Sequence, residues 1–235
     1  MISKLSILIP VYNEEKTIGA ILKKVTAVLL PANIRRELVI VNDCSTDTTQ
    51  EQINIFRQTN PDTSIIYIAQ EKNQGKGAAI RRAIGAATGD YCIVQDADLE
   101  YDPEEYAILL KPILDGYADV VFGSRFVGGK PHRMLFFNRV LTFLSNILTN
   151  LNLSDMETCF KMFPTSVLKQ LNLYENRFGF EPEITSKISR VPGIRIYEVG
   201  ISYYGRSYEE GKKISWKDGF RAIFVILKYN IWKRK

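Results

Sequence analysis

The sequence predicts an α/β domain whose mostly parallel central sheet is flanked by helices. Through the first half of the chain, short apolar runs alternate with longer segments in which apolar residues recur every three or four positions. The short runs are continuously apolar, as expected for strands that helices cover on both faces. A hydrophobic content of 46% supplies a core and excludes a disordered chain.

Two strand–helix units are predicted at the amino-terminal end. Residues 5–10 form an apolar run that Pro10 is expected to end, and helical periodicity then extends over residues 14–30. A second apolar run covers residues 37–42. The segment over residues 46–58 begins with Thr and Asp and then becomes amphipathic, which predicts the second helix.

Three further strands and two further helices complete the first half. Residues 64–69, 90–95 and 119–123 are rich in Ile, Val and Tyr, which favours strands. The alanine-rich segment over residues 75–88 stops before a glycine, and the segment over residues 103–114 starts with a proline. Both features are typical of helix ends, so two helices are predicted here.

The second half alternates less regularly. No repeat or low-complexity linker interrupts it, so we expect one domain over residues 1–210 and a basic, aromatic amphipathic helix over residues 211–235. Periodicity predicts helices over 134–153, 166–171, 183–189 and 215–232, and strands over 158–163 and 194–199.

Positive charge is concentrated at the carboxyl-terminal end. The net charge is +5, and residues 211–235 alone carry eight Lys or Arg against one acid. The rest of the chain is therefore slightly negative, which argues against a nucleic-acid partner. Cys44, Cys92 and Cys159 lack the spacing of a zinc site, and the chain enters its first strand without a leader-like segment, which predicts a cytosolic protein.

Polar residues follow three of the predicted strands, at residues 10–14, 42–43 and 96–98. Parallel strands present their carboxyl ends at one edge of a sheet, where ligands bind. Asp96 and Asp98 lie two positions apart, so an extended chain would aim both carboxylates to one side, where Mg²⁺ could join them to substrate phosphates. The alternative is a pair of solvated loop aspartates that cap the next helix.

The segment at residues 73–77 combines two glycines with Lys76 at the start of a predicted helix. Backbone N–H groups and the helix dipole favour an anion there, and Lys76 adds a positive charge. A simple turn with a helix cap is the alternative. Asp43 could hydrogen-bond a base or ribose, or form an Asx turn; Tyr12 could stack on a base, or pack on its own loop.

Taken in order, the segments at residues 9–14, 41–47, 73–77 and 96–99 resemble glycosyltransferase family 2. That family has the GT-A fold, the fold of nucleotide-diphospho-sugar transferases, and binds a nucleotide sugar with Mg²⁺ or Mn²⁺. The resemblance covers residues 5–125. It implies that Asp96 and Asp98 hold the metal and the diphosphate, and that the nucleoside is held by Pro10, Tyr12, Glu14 and Asp43.

Residues 123–126, Arg139 and residues 155–162 are similar to the dolichyl-phosphate mannose and glucose synthase branch. That branch transfers one sugar from a GDP- or UDP-sugar to a polyprenyl phosphate, with inversion. The resemblance assigns Arg125 and Arg139 to the lipid phosphate, and a guanidinium fork suits phosphate; surface ion pairs are the alternative. It further assigns Glu100 as a third metal contact. Arg206, Lys212 and Lys213 are assigned to a basic loop over the diphosphate; the alternative for these three residues is a solvated charged loop.

This chemistry requires no general base, because a phosphate monoester has a second pKa near ~6 and is already a nucleophile at neutral pH. The metal, Lys76 and the late basic loop would stabilise the leaving diphosphate. His132 is interpreted as a loop residue. Glu181 and Glu183 either contact sugar hydroxyls, act as a base with another acceptor, or begin a helix. The catalytic residues are therefore predicted to be Asp96, Asp98, Arg125 and Lys76.

A polyprenyl acceptor implies contact with a membrane. No run of eighteen apolar residues is present, so a peripheral position on the cytoplasmic face is expected. Residues 134–153 and 220–235 are aromatic segments with cations, as in interfacial helices, and a small membrane-anchoring partner could also occupy the second. Otherwise both pack on the sheet. Two other functions stay open: a family 2 enzyme with a soluble or glycan acceptor, and a catalytically silent nucleotide-sugar binder.

Overall fold

The computed structural model describes residues 2–127, 135–205 and 216–232. Its strands are β1 (Lys4–Val11), β2 (Arg35–Asn42), β3 (Ile65–Ala69), β4 (Tyr91–Val94), β5 (Val120–Ser124), β6 (Lys161–Pro164) and β7 (Ile196–Gly200). Its helices are α1 (Ile18–Ala27), α2 (Thr49–Thr59), α3 (Lys76–Ala86), α4 (Tyr106–Leu114), α5 (Leu135–Thr149), α6 (Thr165–Gln170), α7 (Phe180–Ile188) and α8 (Trp216–Leu227).

The strands form one sheet in the order β3-β2-β1-β4-β6-β5-β7, and only β6 runs antiparallel to its neighbours. The central strands are buried on both faces, since Ile7 and Leu8 of β1, Ile40 of β2 and Ile93 of β4 are all fully inaccessible. Burial of the sheet on both faces therefore explains why the strands are continuously apolar. The predicted α/β architecture with a mostly parallel sheet is confirmed.

The prediction that Pro10 ends the first strand was wrong, because β1 continues to Val11. Leu8 accepts a hydrogen bond from Gln95 on the β4 side, and Val11 accepts one from Asp43 on the β2 side. Pro10, two residues after Leu8, therefore faces the β4 side. The last β1–β4 pair is Leu8 with Val94, so the missing N–H of Pro10 costs no ladder hydrogen bond.

Three predicted helices begin at least three residues later than their sequence patterns indicated. The first was expected from residue 14, but α1 begins at Ile18 because the Glu14 amide donates to Thr49 Oγ1 at 2.9 Å and is held in a loop. The helix expected from Pro103 starts as a 3₁₀ turn over Pro103–Glu105, with the Glu104 amide donating to the Asp102 side chain. The helix expected from residue 46 begins at Thr49, whose amide donates to Asp47 Oδ1 at 3.0 Å. In all three cases local side-chain hydrogen bonds compete with the first helical turn.

The antiparallel strand β6 has a direct consequence for the site. Its amino end lies at the sheet edge where the parallel strands have their carboxyl ends. The segment at residues 154–160, which leads into β6, therefore arrives beside the loops that follow β1, β2 and β4. A sheet of parallel strands alone would place that segment at the opposite edge.

The carboxyl-terminal helix packs on the domain. Ala222 and Ile226 of α8 are buried against Leu141 of α5 and Met156. A π-helical turn over Lys228–Trp232 extends α8. The domain boundary predicted at residue 210 lies outside the described residues and stays a prediction. No helix among the described residues is long and apolar enough to cross a bilayer.

One acidic side chain ties α8 to the body of the protein. The carboxylate of Glu175 accepts hydrogen bonds from Arg221 Nη2 at 2.6 Å, Lys228 Nζ at 2.7 Å and the Tyr229 hydroxyl at 3.1 Å. Glu175 is 5% exposed, so the carboxylate end of these charge-assisted bonds is buried, while the Arg221 side chain is 51% exposed. The position of α8 is therefore fixed relative to the segment that carries Glu175.

Candidate active site

The loops after β1 and β2 form one wall of the candidate site. The Asn13 amide donates to Ser45 Oγ at 3.0 Å, and the Thr46 amide donates to Asn13 Oδ1 at 2.8 Å. Asn13 has a φ of 49°, a left-handed conformation that asparagine tolerates better than most residues. Tyr12 and Glu14 are half-buried on either side of Asn13. The predicted nucleoside-binding residues of this loop thus stand on a backbone fixed by the neighbouring loop.

Asp43 has a structural task in the same wall. Its carboxylate, 2% exposed, accepts hydrogen bonds from Gln70 Nε2 at 2.6 Å, the Gln74 amide at 2.8 Å and the Gly75 amide at 2.7 Å. Two of the backbone N–H groups that were predicted to bind a phosphate, those of Gln74 and Gly75, therefore donate to Asp43 instead. Contact of Asp43 with a nucleoside stays a prediction.

The two glycines of the 73–77 loop are explained by packing. A Cβ atom on Gly75 would lie 2.4 Å from the Asn176 carbonyl oxygen, and one on Gly77 would lie 2.2 Å from the Glu175 carbonyl oxygen. Gly75 also has a φ of 96°, where other residues are strained. The local sequence does not indicate this cause, because the close approach of residues 175–176 is a long-range contact.

Lys76 is paired with Asp96. The Lys76 ammonium lies 2.7 Å from Asp96 Oδ1 and 2.8 Å from Oδ2, and the two side chains are 21% and 18% exposed. Burial alone would lower the pKa of Lys76, but the charge of Asp96 outweighs it and holds that pKa well above its ordinary value. A permanently charged ammonium thus stands at the end of β4, within reach of an incoming anion.

Asp98 and Glu100 follow Asp96 in the same loop. Asp98 Oδ1 accepts from the Glu100 amide at 3.1 Å, and Glu100 Oε2 accepts from the Tyr203 hydroxyl at 2.8 Å. Among the residues that the structure describes, no three His, Cys, Asp or Glu side chains are gathered as a metal cage. Mg²⁺ commonly uses one or two carboxylates and completes its shell with water and substrate phosphates, so these hard oxygen donors fit the ion. The three metal ligands stay a prediction.

Arg125 lies in a buried fork rather than in a surface ion pair. Its Nε and Nη2 atoms bind Asp155 Oδ2 and Oδ1 at 2.6 Å and 2.8 Å, and the guanidinium carbon lies 5.1 Å from the centre of the Tyr203 ring. Arg125 is 7% exposed. Because Tyr203 also binds Glu100, one tyrosine connects the predicted acceptor arginine with the predicted metal loop.

Arg139 reaches the same turn from α5. Its guanidinium lies 4.7 Å from the centre of the Phe126 ring, and Phe126 follows Arg125 directly. Arg139 is exposed, so its charge remains available to an anion in solvent or at a surface. The structure therefore brings together the two arginines that the sequence assigned to the acceptor phosphate.

The two glutamates near the start of α7 differ in their surroundings. Glu183 accepts from the Tyr174 and Glu175 amides at 2.8 Å and 2.7 Å and pairs with Lys187, which makes it an anchor for the preceding loop. Glu181 pairs with the buried Lys161. Lys161 lies in the segment at residues 155–162, but its type and position there do not predict a role by themselves.

Several predicted site residues cannot be compared with the structure. Arg206, Lys212 and Lys213 of the basic loop, and His132, lie outside the described residues. Their roles stay predictions.

Known proteins share the sequence pattern and the fold of this chain. Residues 6–171 match the profile described as Glycosyl transferase family 2. The chain is 26% identical to a dodecaprenyl-phosphate galacturonate synthase of Rhizobium johnstonii, with 98% of this chain and 68% of that protein covered. It is 28% identical to a dolichol-phosphate mannosyltransferase of Pyrococcus furiosus, with 96% and 64% covered. The chain thus spans about two thirds of the length of these relatives.

Among solved structures, the fold is similar to that of glucosyl-3-phosphoglycerate synthase from Mycobacterium tuberculosis. The TM-score is 0.74 at 18% identity, with 97% of this chain and 80% of that chain covered. That crystal contains Mn²⁺ and UDP, and another crystal of the same enzyme contains Mg²⁺ and UDP. At this level of identity the likeness establishes the fold, which is the predicted GT-A fold.

Proposed function

This chain belongs to glycosyltransferase family 2, and from that membership we propose that it is an inverting, metal-dependent transferase with a polyprenyl phosphate acceptor. The donor is a GDP- or UDP-linked sugar of the mannose or glucose type. Two curated relatives support this acceptor, since their names describe sugar transfer to dodecaprenyl and dolichol phosphates. The identities of the sugar and of the nucleotide base are part of this proposal.

The observation that carries the proposal is the connection through Tyr203. Its hydroxyl binds Glu100 in the loop of acidic residues, and its ring lies beside the guanidinium of Arg125. A transferase of this kind handles two anions, the leaving diphosphate and the acceptor phosphate. A carboxylate loop suited to a cation and a pair of arginines suited to a phosphate, joined by one side chain, match that requirement.

The residues of the chain have distinct tasks in this reaction. Asp96 and Asp98, with Glu100, would hold the divalent cation, which would neutralise charge on the bound diphosphate. Lys76 adds a fixed positive charge beside Asp96 for the leaving group. Arg125, oriented by Asp155, and Arg139 hold the acceptor phosphate, which is ionised at neutral pH and attacks without a general base.

The acceptor lipid implies that the protein lies on a membrane, and α5 and α8 offer a surface for this. Phe143 of α5 is 66% exposed, and Phe220 and Trp232 of the α8 region are 65% and 62% exposed. The two helices are in contact, because a Cβ atom on Gly219 of α8 would lie 2.5 Å from the Phe137 ring of α5. Exposed aromatic residues beside a basic tail are typical of an interfacial face, and we assign it to the cytoplasmic leaflet.

The experiment that tests the function uses radiolabelled GDP-mannose and UDP-glucose with a short polyprenyl phosphate, in Mg²⁺ or in EDTA. We expect label to enter the organic phase with one donor and only with the metal. Transfer that persists in EDTA would contradict the metal dependence. Label that stays in water while a donor binds would contradict the lipid acceptor and favour a soluble one.

A further inference from the structure

The Tyr203 side chain lies between the predicted metal loop and the predicted acceptor arginine. Its hydroxyl donates to Glu100 Oε2 at 2.8 Å, and its ring centre lies 5.1 Å from the guanidinium carbon of Arg125. Tyr203 and Glu100 are each 9% exposed, and Arg125 is 7% exposed. Both contacts are therefore largely removed from water, which strengthens a hydrogen bond to a carboxylate and a cation–π contact alike.

The ring of Tyr203 is itself held in place by a second aromatic residue. It packs against the edge of the Tyr101 ring, with 5.2 Å between the centroids and 61° between the ring planes. Tyr101 is 3% exposed, and its hydroxyl accepts a hydrogen bond from the Cys159 amide at 3.0 Å. A ring packed in this way has little freedom to carry its hydroxyl away from Glu100.

The main chain around Tyr203 is attached to the same two regions. The amide of the residue after Tyr203 donates to the Glu100 carbonyl oxygen at 2.9 Å. The Ile201 amide donates to the Ser124 carbonyl oxygen at 2.9 Å, and Ser124 directly precedes Arg125. The backbone thus fixes this segment against both regions, and the Tyr203 side chain adds a contact with a charged group of each.

The two side-chain contacts use different parts of the tyrosine. A phenolic O–H keeps its proton at neutral pH and donates to a carboxylate, whereas the ring attracts a cation. Phenylalanine at position 203 would keep the ring contact and lose only the hydroxyl. The effects of Tyr203 on the two regions can therefore be separated by substitution.

We propose that Tyr203 is a positioning residue for both substrates: its hydroxyl orients Glu100 toward the divalent ion, and its ring orients Arg125 toward the acceptor phosphate. The inference rests on the proposed function, in which the carboxylates of the loop after β4 hold the ion. Hydrogen bonds from outer groups orient metal-binding carboxylates, and losing one commonly costs about 10–100-fold in metal affinity. A guanidinium that is restrained before the phosphate arrives loses less freedom on binding it.

Tyr203→Phe tests the task of the hydroxyl. Mn²⁺ binding in the presence of UDP and, separately, of GDP should weaken about tenfold, as followed by electron paramagnetic resonance. KM for a short polyprenyl phosphate at saturating Mg²⁺ should stay unchanged. Tyr101→Phe is the matched control, since it removes a buried hydroxyl from the adjoining ring. It should lower the thermal midpoint, because the Cys159 amide loses this acceptor, and leave Mn²⁺ affinity as in the wild type.

A double-mutant cycle shows whether the hydroxyl acts through Glu100. Mn²⁺ affinity is measured for the wild type, Tyr203→Phe, Glu100→Ala and the double variant. If Tyr203 positions Glu100, the loss caused by Tyr203→Phe disappears once the carboxylate is absent. A loss of the same size in both backgrounds would overturn the positioning of Glu100 by Tyr203.

Tyr203→Leu tests the task of the ring, which this variant removes together with the hydroxyl. KM for the polyprenyl phosphate at saturating Mg²⁺ should rise about threefold to tenfold above that of Tyr203→Phe, the effect of one lost cation–π contact. A smaller folded fraction lowers the apparent kcat and leaves KM unchanged, so KM reports on the site itself. Equal KM values for the two variants would overturn the positioning of Arg125.

Failure of this inference and failure of the proposed function give different results. Mn²⁺ binding by Tyr203→Phe that equals that of the wild type would overturn the task of the hydroxyl alone. A wild-type protein that binds no Mn²⁺ with either nucleotide, or that transfers no sugar to the lipid, would overturn the proposed function and this inference with it.

Discussion

The ammonium of Lys76 contacts both carboxylate oxygens of Asp96, at 2.7 Å and 2.8 Å. The pair joins the first residue of α3 to the loop after β4, so the two segments that the sequence assigned to the diphosphate are connected. A diphosphate that binds there enters a preformed field of opposite charges. Because these charges are already in place, little reorganisation of the protein would be needed as negative charge develops on the leaving diphosphate.

Replacing Lys76 with methionine should lower kcat/KM about 100-fold, because the leaving diphosphate loses a fixed positive charge. Steady-state kinetics with a saturating lipid acceptor measures this. Lys72→Met is the matched control, since Lys72 is an exposed residue of the same loop region. Similar kinetics for both variants would contradict the role of Lys76.

Asp98→Asn should abolish turnover by weakening the binding of the divalent ion. Turnover and Mn²⁺ binding, followed by electron paramagnetic resonance, should fall together. Asp102→Asn is the control, because Asp102 is a nearby carboxylate that caps the 3₁₀ turn through the Glu104 amide. Near wild-type activity of Asp98→Asn would refute the metal assignment.

Arg139→Ala should raise KM for the polyprenyl phosphate at least about tenfold and leave donor affinity unchanged, since one charge-assisted contact with the phosphate is lost. The free energy of unfolding should fall by only about 0.5–1 kcal/mol, the value of an exposed cation–π contact. Arg195→Ala serves as the control, because Arg195 is an exposed arginine at the opposite edge of the sheet, before β7. A parallel change in KM for the two variants would contradict the acceptor role.

Phe220→Asp and Trp232→Asp should each weaken binding to anionic vesicles at least about tenfold, because a charged group replaces an aromatic ring at the interface. Leu29→Asp is the control, since Leu29 is 90% exposed and lies just beyond α1. Vesicle co-sedimentation measures the effect. Membrane binding that responds equally to all three variants, or to none, would exclude the surface formed by α5 and α8.

Glu37 should make stability depend on acid pH. Burial alone would raise its pKa, but hydrogen bonds from Lys4, Thr88 and Ser6 outweigh it and lower the pKa from about 4.5 to about 2. The stabilisation is therefore complete above the unfolded pKa and is lost as pH falls toward 2. It amounts to about 3 kcal/mol.

Urea unfolding of the wild type and of Glu37→Gln at several pH values from 6 down to 2 tests this assignment. The wild type should lose its advantage over the variant as the pH falls below about 4.5. A difference that stays constant over this range would assign the loss of stability to other carboxylates.

The sequence was sufficient to predict the parallel part of the sheet, because each strand there is covered by helices that follow it directly in the chain. It was also sufficient to predict which loops meet at the carboxyl ends of β1, β2 and β4. The interest in Arg139 depended on the family resemblance, since a lone arginine on a helix carries no local signal. Its guanidinium lies over the ring of Phe126, next to Arg125, and its role at the acceptor phosphate stays a prediction.

Contacts distant in sequence caused the errors. Gly75 and Gly77 look like a phosphate loop, yet they provide room for the carbonyl groups at residues 175–176. Pro10 is tolerated within β1 because the pairing of β1 with β4 ends at Leu8 and Val94. The sequence around Pro10 does not show where the neighbouring strand ends. The buried partner of the Lys161 ammonium, Glu181, lies twenty residues further along the chain in α7, so the local sequence does not indicate it.

Glu175 lies at the crossing of two connections. Its carbonyl oxygen supports the close approach of Gly77, while its carboxylate binds Arg221, Lys228 and Tyr229. Glu175 therefore connects α8 directly with the backbone that packs against the loop before Lys76 and the first turn of α3. A change in the tilt of α8 against a bilayer would displace Glu175 and, with it, the loop before Lys76. Contact with lipid would in this way be coupled to the geometry of the donor site.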